Sequence, residues 1–231
     1  MVRRGAWVTG VRALRDVHPD RIGVGLHLDL TWSLEGKHSE QSLSSLIARS
    51  YLRLLKPQTA RQEIRSQLSR FEDALGRAPA FVDGHRHVHQ LPVVREMLVA
   101  ELAERYGSRS PWIRSTRPSG GWSMATAKAR VIHSLGGEAL LEHAARHGIA
   151  ASHCLLGVYG FTGDANAYRA RLESWIGECS TGDVLMCHPS LKDTPGDPIG
   201  AARRNEYAVL GNVNFPFETR HGPVTLAPRP G

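Results

Sequence analysis

Seven consecutive residues, Asp83-Gly84-His85-Arg86-His87-Val88-His89, place a carboxylate and three imidazoles at every second position. Phe81-Val82 precede them and Gln90-Leu91-Pro92 close the run. Side chains of an extended strand alternate between faces, so this spacing predicts Phe81, Asp83, His85, His87 and His89 on one face. Val82 and Val88 then point the other way, into apolar packing. A helix would scatter the same histidines around its circumference. One carboxylate beside three imidazoles is a donor set for a divalent cation of borderline character. The pattern also fits a solvated, histidine-rich strand end; a second stretch of similar design favours the cation.

That second stretch is Arg21 to Thr31. Ile22, Val24, Leu26, Leu28 and Leu30 alternate with Gly23, Gly25, His27 and Asp29, which predicts a strand whose apolar face takes a helix layer. The glycines leave the opposite face open, with His27 and Asp29 at its carboxyl end. A third short run, Asp183 to Pro189, ends in Cys187-His188-Pro189. Helical periodicity lies between these runs: Val8 to Val17, Ser42 to Leu55, Thr59 to Leu75 with Ile64, Leu68, Phe71 and Leu75 as its stripe, and Val93 to Tyr106 behind Pro92. Met124 to Leu135, Glu138 to His147, Ala165 to Cys179 and Arg203 to Leu210 continue the series. Trp112 to Thr116, Ile149 to Leu156 and Val224 to Leu226 are short strand candidates, whereas Trp32 to Glu40 and Arg117 to Gly121 have loop composition.

Strands alternating with helices imply parallel βαβ units, and (β/α) barrels build their sites at the carboxyl ends of the strands. The expectation is therefore an α/β chain, one domain over residues 1–231, with His27, His85 and His188 converging at one barrel mouth. His18, His38, His133, His143, His147, His153 and His221 fall on helices or loops and are assigned surface or packing roles.

Composition removes several classes of function. A chain of 231 residues with 41% hydrophobic content is long enough to bury one sizeable core. No apolar run is long enough to cross a bilayer and no signal-peptide pattern opens the sequence. Three widely spaced cysteines, Cys154, Cys179 and Cys187, argue against a disulfide framework and for a reducing, cytoplasmic setting. The net charge of +7 comes from dispersed arginines with no basic block or aromatic interleaving, so a nucleic-acid partner is not expected.

Taken together, Val24 to Thr31, Phe81 to Pro92 and Val184 to Pro189 resemble the YdjC-like (ChbG/HpnK) carbohydrate deacetylases in motif, order and spacing. The tail from Asp197 to Leu210, with Arg204 and Glu206, fits as well. The resemblance implies a deacetylase-type (β/α) barrel that uses a divalent metal, magnesium or zinc, to remove acetyl groups from N-acetylated amino sugars. On the matching positions it makes His27 and His85 the metal-ligand histidines and His188 a catalytic histidine, with Asp83, His87 and His89 lining or orienting the site. Such chemistry asks the metal to polarise the acetyl oxygen, a carboxylate to take a proton from water and an acid to protonate the leaving amine. His188 would serve as that acid or as an oxyanion stabiliser.

The sequence also departs from the family pattern. Family members open with a strand ending in Asp-Asp-Phe-Gly, which supplies a metal-site aspartate and the base, and no Asp-Asp pair occurs here. Met1-Val2 resembles the middle of the family's second strand, so the first strand and helix are expected to be missing and the barrel incomplete. Exposed strand edges and self-association into a homo-oligomer would follow, and Asp29 or Asp83 would be the stand-in carboxylates. Two alternatives remain open at this level: a metal-binding barrel that has lost catalysis or acts as an interaction protein, and a different metal-dependent amidohydrolase. The Cys-His-Pro ending of the late strand disfavours the second, which expects an aspartate there.

Overall fold

A computed structural model describes all residues except 4, 19, 32–41, 121–123, 193 and 228–231. In chain order its elements are α1 (Trp7–Arg15), β1 (Leu26–Leu28), α2 (Leu43–Tyr51), α3 (Pro57–Leu75), β2 (Phe81–Gly84), a 3-10 segment (His85–Gln90), α4 (Val94–Tyr106), a short 3-10 turn (Gly107–Arg109), β3 (Trp112–Ile113), α5 (Met124–Ser134) and α6 (Gly137–Arg146). β4 (Leu155–Leu156), α7 (Ala165–Gly177), β5 (Val184–Leu185), α8 (Gly200–Leu210), β6 (Phe217–Thr219) and β7 (Gly222–Val224) complete it. The chain is mixed α/β and divides into two compact units. The larger comprises 1–116 with 132–152, and the smaller 117–131 with 153–231.

In the larger unit, α3 shows how the sequence dictates the layer. Pro57 begins the helix, where its missing N–H costs nothing, and Gly76 ends it at φ 66° in the left-handed region. Ala60, Ile64, Leu68 and Phe71 recur at helical spacing and are buried. They share a core with Leu26, Leu28, Val82 and Ile113 of the sheet and with Leu98 and Leu102 of α4. The sheet is parallel in the order β1-β2-β3, registering His27 with Asp83 and Val82 with Ile113. An isolated parallel bridge joins Ile113 to Ala151.

Several expectations change here. The strand expected from Arg21 narrows to Leu26–Leu28, because Ile22 is 55% exposed and only Leu26, Leu28 and Leu30 of the apolar set are buried. Gly25 does not open a cavity. A Cβ there would lie 2.5 Å from the Phe81 ring, so the glycine admits that ring, which stacks on Trp112 at 4.7 Å. The histidine series is not a strand either. β2 stops at Gly84, and His85–Gln90 turns tightly with Arg86 (φ 48°) and His87 (φ 61°) left-handed, so the five residues expected on one face are spread around a turn. α4 begins one residue later than expected, behind Val93 at φ 65°. Met1-Val2, expected in a strand, lies in the opening turn with Val2 buried. The loop expected at 32–40 falls outside the described residues.

In the smaller unit, β4 and β5 pair in parallel, Leu155 with Val184 and Leu156 with Leu185. Gly157 follows at φ 84°, where a Cβ would sit 2.1 Å from the Met186 carbonyl oxygen, so only glycine fits. Asp164 caps α7 by accepting from the Ala167 amide at 2.9 Å. Tyr168, Leu172 and Ile176 of α7 pack with Tyr159 and Val209. The last strand expected near Val224 is one arm of an antiparallel hairpin, β6-β7.

Candidate active site

The parallel register of β1 and β2 sets His27 beside Asp83. Their contact is a hydrogen bond of 2.7 Å between His27 Nδ1 and Asp83 Oδ1. Arg114, directly after β3 and 3% exposed, donates from Nε to Asp83 Oδ2 at 2.9 Å. Burial alone would raise the Asp83 carboxyl. The Arg114 charge and the His27 bond outweigh it and hold the group well below the usual carboxylate range. An ionised carboxylate only accepts, so Nδ1 of His27 carries a proton, and in the neutral ring Nε2 is then the acceptor nitrogen. The His27 side chain is 37% exposed, and the His85 ring lies edge-on to it with centroids 5.6 Å apart. Two imidazoles at that distance, one with its tautomer set by a carboxylate, are suited to a shared divalent ion.

His87 and His89 do different work. A guanidinium can only donate, so the 3.2 Å contact from Arg114 Nη1 makes His87 Nδ1 the acceptor and leaves its proton on Nε2. Burial and the Arg114 charge push His87 down to about 2, so it is a neutral donor. His89 is fully buried and donates from Nε2 to the Arg114 carbonyl at 2.9 Å. A Cβ at Gly84 would lie 2.7 Å from the His89 amide nitrogen and 2.8 Å from Nδ1, so backbone packs directly on this ring. Burial and Arg114 lower its value to about 4.

Asp29 lies one residue past β1, is 1% exposed, and accepts at Oδ1 from the Thr31 amide at 3.0 Å and hydroxyl at 2.7 Å. Gln67 of α3 brackets its backbone, accepting from the Asp29 amide at 3.0 Å and donating to its carbonyl at 2.7 Å. Asp29 thus ties the strand end to the helix layer. His188 lies past β5 in the smaller unit, its ring edge-on to Phe161 at 5.4 Å. Its amide donates to the Glu206 carboxylate, which is fully buried and also accepts from the Tyr159 hydroxyl at 2.7 Å. Burial and the Glu206 charge push the adjacent Cys187 thiol up to about 11.

The larger unit therefore brings together His27, Asp83, His85, His87 and His89, and adds Arg114. Arg114 was missed in the sequence, yet it obeys the rule that picked out His27 and His188: a polar residue closing a short apolar strand. Among the described residues, one group of three ligand-type side chains has all its donor atoms within 4.8 Å of one another: His153, Cys154 and Asp183.

Known proteins supply a context for this geometry. The chain is 31% identical over 144 residues to a carbohydrate deacetylase of Mus musculus and to one of Homo sapiens, in each case over 58% of this chain. The matched region spans less than half of those relatives, 46% and 44% of their lengths. A carbohydrate deacetylase of Danio rerio is 42% identical over 50 residues, 22% of this chain and 16% of that protein. A crystal structure from Enterococcus faecalis V583, provisionally described as a cellobiose-phosphate cleavage protein, superposes with a TM-score of 0.58. It has 16% identity and covers 91% of this chain and 77% of that one, a likeness of fold alone. The sequence model of the YdjC-like protein family matches residues 1–216, through both units and every motif described above, and the chain belongs to that family.

Proposed function

We propose that this chain is a carbohydrate N-deacetylase, a hydrolase that removes acetyl groups from N-acetylated amino sugars with the help of a divalent metal. The observation that carries the reading is the Arg114–Asp83–His27 chain of contacts, which sets His27 Nδ1 against an ionised carboxylate beside His85. The names of the relatives point to the same activity. His27 and His85 are the proposed ligands of the metal, which would supply polarisation of the acetyl carbonyl. Asp83 then keeps the proton on His27 Nδ1, and His87 offers its Nε2 proton to a substrate oxygen. His188 is the proposed acid for the departing amine. The family match over residues 1–216 supports reading the chain as one domain of that family.

A second reading, a metal-binding protein with impaired catalysis, is favoured by one observation. Asp83 is held ionised by Arg114, so it is a poor base for a proton from water. One experiment separates the two. Acetate release from an N-acetylglucosamine oligomer is measured with zinc or magnesium, alongside metal content, for the wild type, His27→Ala and His85→Ala. Deacetylation lost together with metal in both variants supports the enzyme, and metal binding without acetate release supports the second reading. Unchanged metal content in both variants would refute the shared site.

A further inference from the structure

Away from the His27 network, the smaller unit aims an imidazole and a thiol at one carboxylate. His153 and Cys154 run into β4, and Asp183 precedes β5. The backbone locks these segments together: the His153 amide donates to Gly182 at 2.9 Å and the Val184 amide to Cys154 at 2.9 Å. His153 Nδ1 lies 2.8 Å from Asp183 Oδ1, and the Cys154 thiol is the third ligand-type group beside them. All three donor atoms fall within 4.8 Å of one another. Cys154 is 7% exposed and the Asp183 side chain 4%, whereas the His153 side chain is 52% exposed, so the group is open on one side only.

Asp183 has a structural task that needs no cation. Its carboxylate accepts from the Ser180 amide and the Cys154 amide, each at 2.9 Å, and so closes the turn before β5. Those two amides account for the carboxylate. They do not account for the imidazole bonded to it or for the thiol within 4.8 Å of both. Hard, oxygen-seeking ions such as magnesium have no use for sulfur, whereas zinc takes nitrogen, oxygen and sulfur together and completes a tetrahedral set with water from an open side.

We propose that His153 Nδ1, Cys154 Sγ and the Asp183 carboxylate form a zinc site, distinct in residues and in donor chemistry from the one at His27 and His85. On binding, Cys154 releases its proton to solvent as the sulfur–zinc bond forms. His153 moves its proton from Nδ1 to the other ring nitrogen, and Asp183 binds as the carboxylate it already is. The ion's two positive charges then balance the thiolate and the carboxylate. The site ties the β4 and β5 ends together, so zinc stabilises the fold of the smaller unit by mass action.

Cobalt(II) is the probe, because a cobalt–thiolate bond gives a near-ultraviolet charge-transfer band that histidine and carboxylate ligands do not. Metal-stripped full-length protein is titrated with cobalt, and zinc is added to displace it. The expected result is a saturable band that persists in the His27→Ala/His85→Ala double variant and disappears in Cys154→Ser. In His153→Ala, a change at an exposed position, the band should need on the order of tenfold more cobalt or beyond. Circular dichroism checks that each variant is folded. No band in folded wild type means a hydrogen-bonded turn only and overturns the proposal. A band that survives in Cys154→Ser, or cobalt affinity unchanged in His153→Ala, also overturns it.

Discussion

Arg114 touches three parts of the site at once: the Asp83 carboxylate, His87 Nδ1 and, through its own carbonyl, His89. It fixes which nitrogen of each neighbouring ring carries a proton. Replacing Asp83 with Asn removes the charge that holds the His27 proton on Nδ1. Metal affinity, measured by calorimetry, should fall about 10–100-fold while the fold persists. The lowered values of His87, to about 2, and His89, to about 4, give a second expectation. A histidine near its ordinary value of about 6.5 in the unfolded chain takes up a proton that the native site refuses. Stability from these two residues is therefore complete above about pH 6.5 and is lost as the pH falls, down to about 4 for His89 and about 2 for His87. Asp83, also depressed, adds a loss that begins near the ordinary carboxylate value of about 3.9 and continues below it. Denaturant unfolding across this range should show the decline, and His89→Gln should flatten it; an equal slope in the variant would count against the assignment. From sequence, the residue types at this site were legible and their protonation was not. Spacing reveals that histidines are close, whereas the tautomer depends on a guanidinium 31 positions away in the chain.

At the scale of elements, helices were the most legible, because a buried stripe such as Ile64, Leu68 and Phe71 imposes its own period and Gly76 marks its end. Strands were less so. Alternation continues through Asp83, His85, His87 and His89 in the sequence, yet pairing stops at Gly84 because two left-handed residues follow. Nothing in Arg86 or His87 announces that conformation, and the turn they form ends in His89, bonded to the Arg114 carbonyl. Gly84 is where the two regimes meet. Gly84→Ala would drive a methyl to within 3 Å of the His89 backbone and ring, an overpacking cost of about 1–3 kcal/mol. Thermal unfolding should register that loss, and metal affinity at His27 and His85 should fall with it because the turn carrying His85 shifts.

For the whole molecule, the proposed role of His188 is tested apart from that of the larger unit's histidines. His188→Ala should lower turnover on an N-acetylated oligosaccharide by about 10²–10⁴-fold, the usual worth of a positioned acid, with the metal content of His27 and His85 intact. Loss of metal in that variant would make His188 a ligand instead. Described residues include no helix long and apolar enough to cross a membrane. The division of the chain, with 117–131 assigned to the smaller unit and 132–152 to the larger, has a consequence for synthesis. As the polypeptide leaves the ribosome, the larger unit has all its residues once position 152 has emerged, including Ala151, which bridges to Ile113. The smaller unit must hold its first segment in waiting until the rest arrives. A fragment ending at residue 116 would lack that bridge, so the earliest stopping point that leaves one unit whole is residue 152.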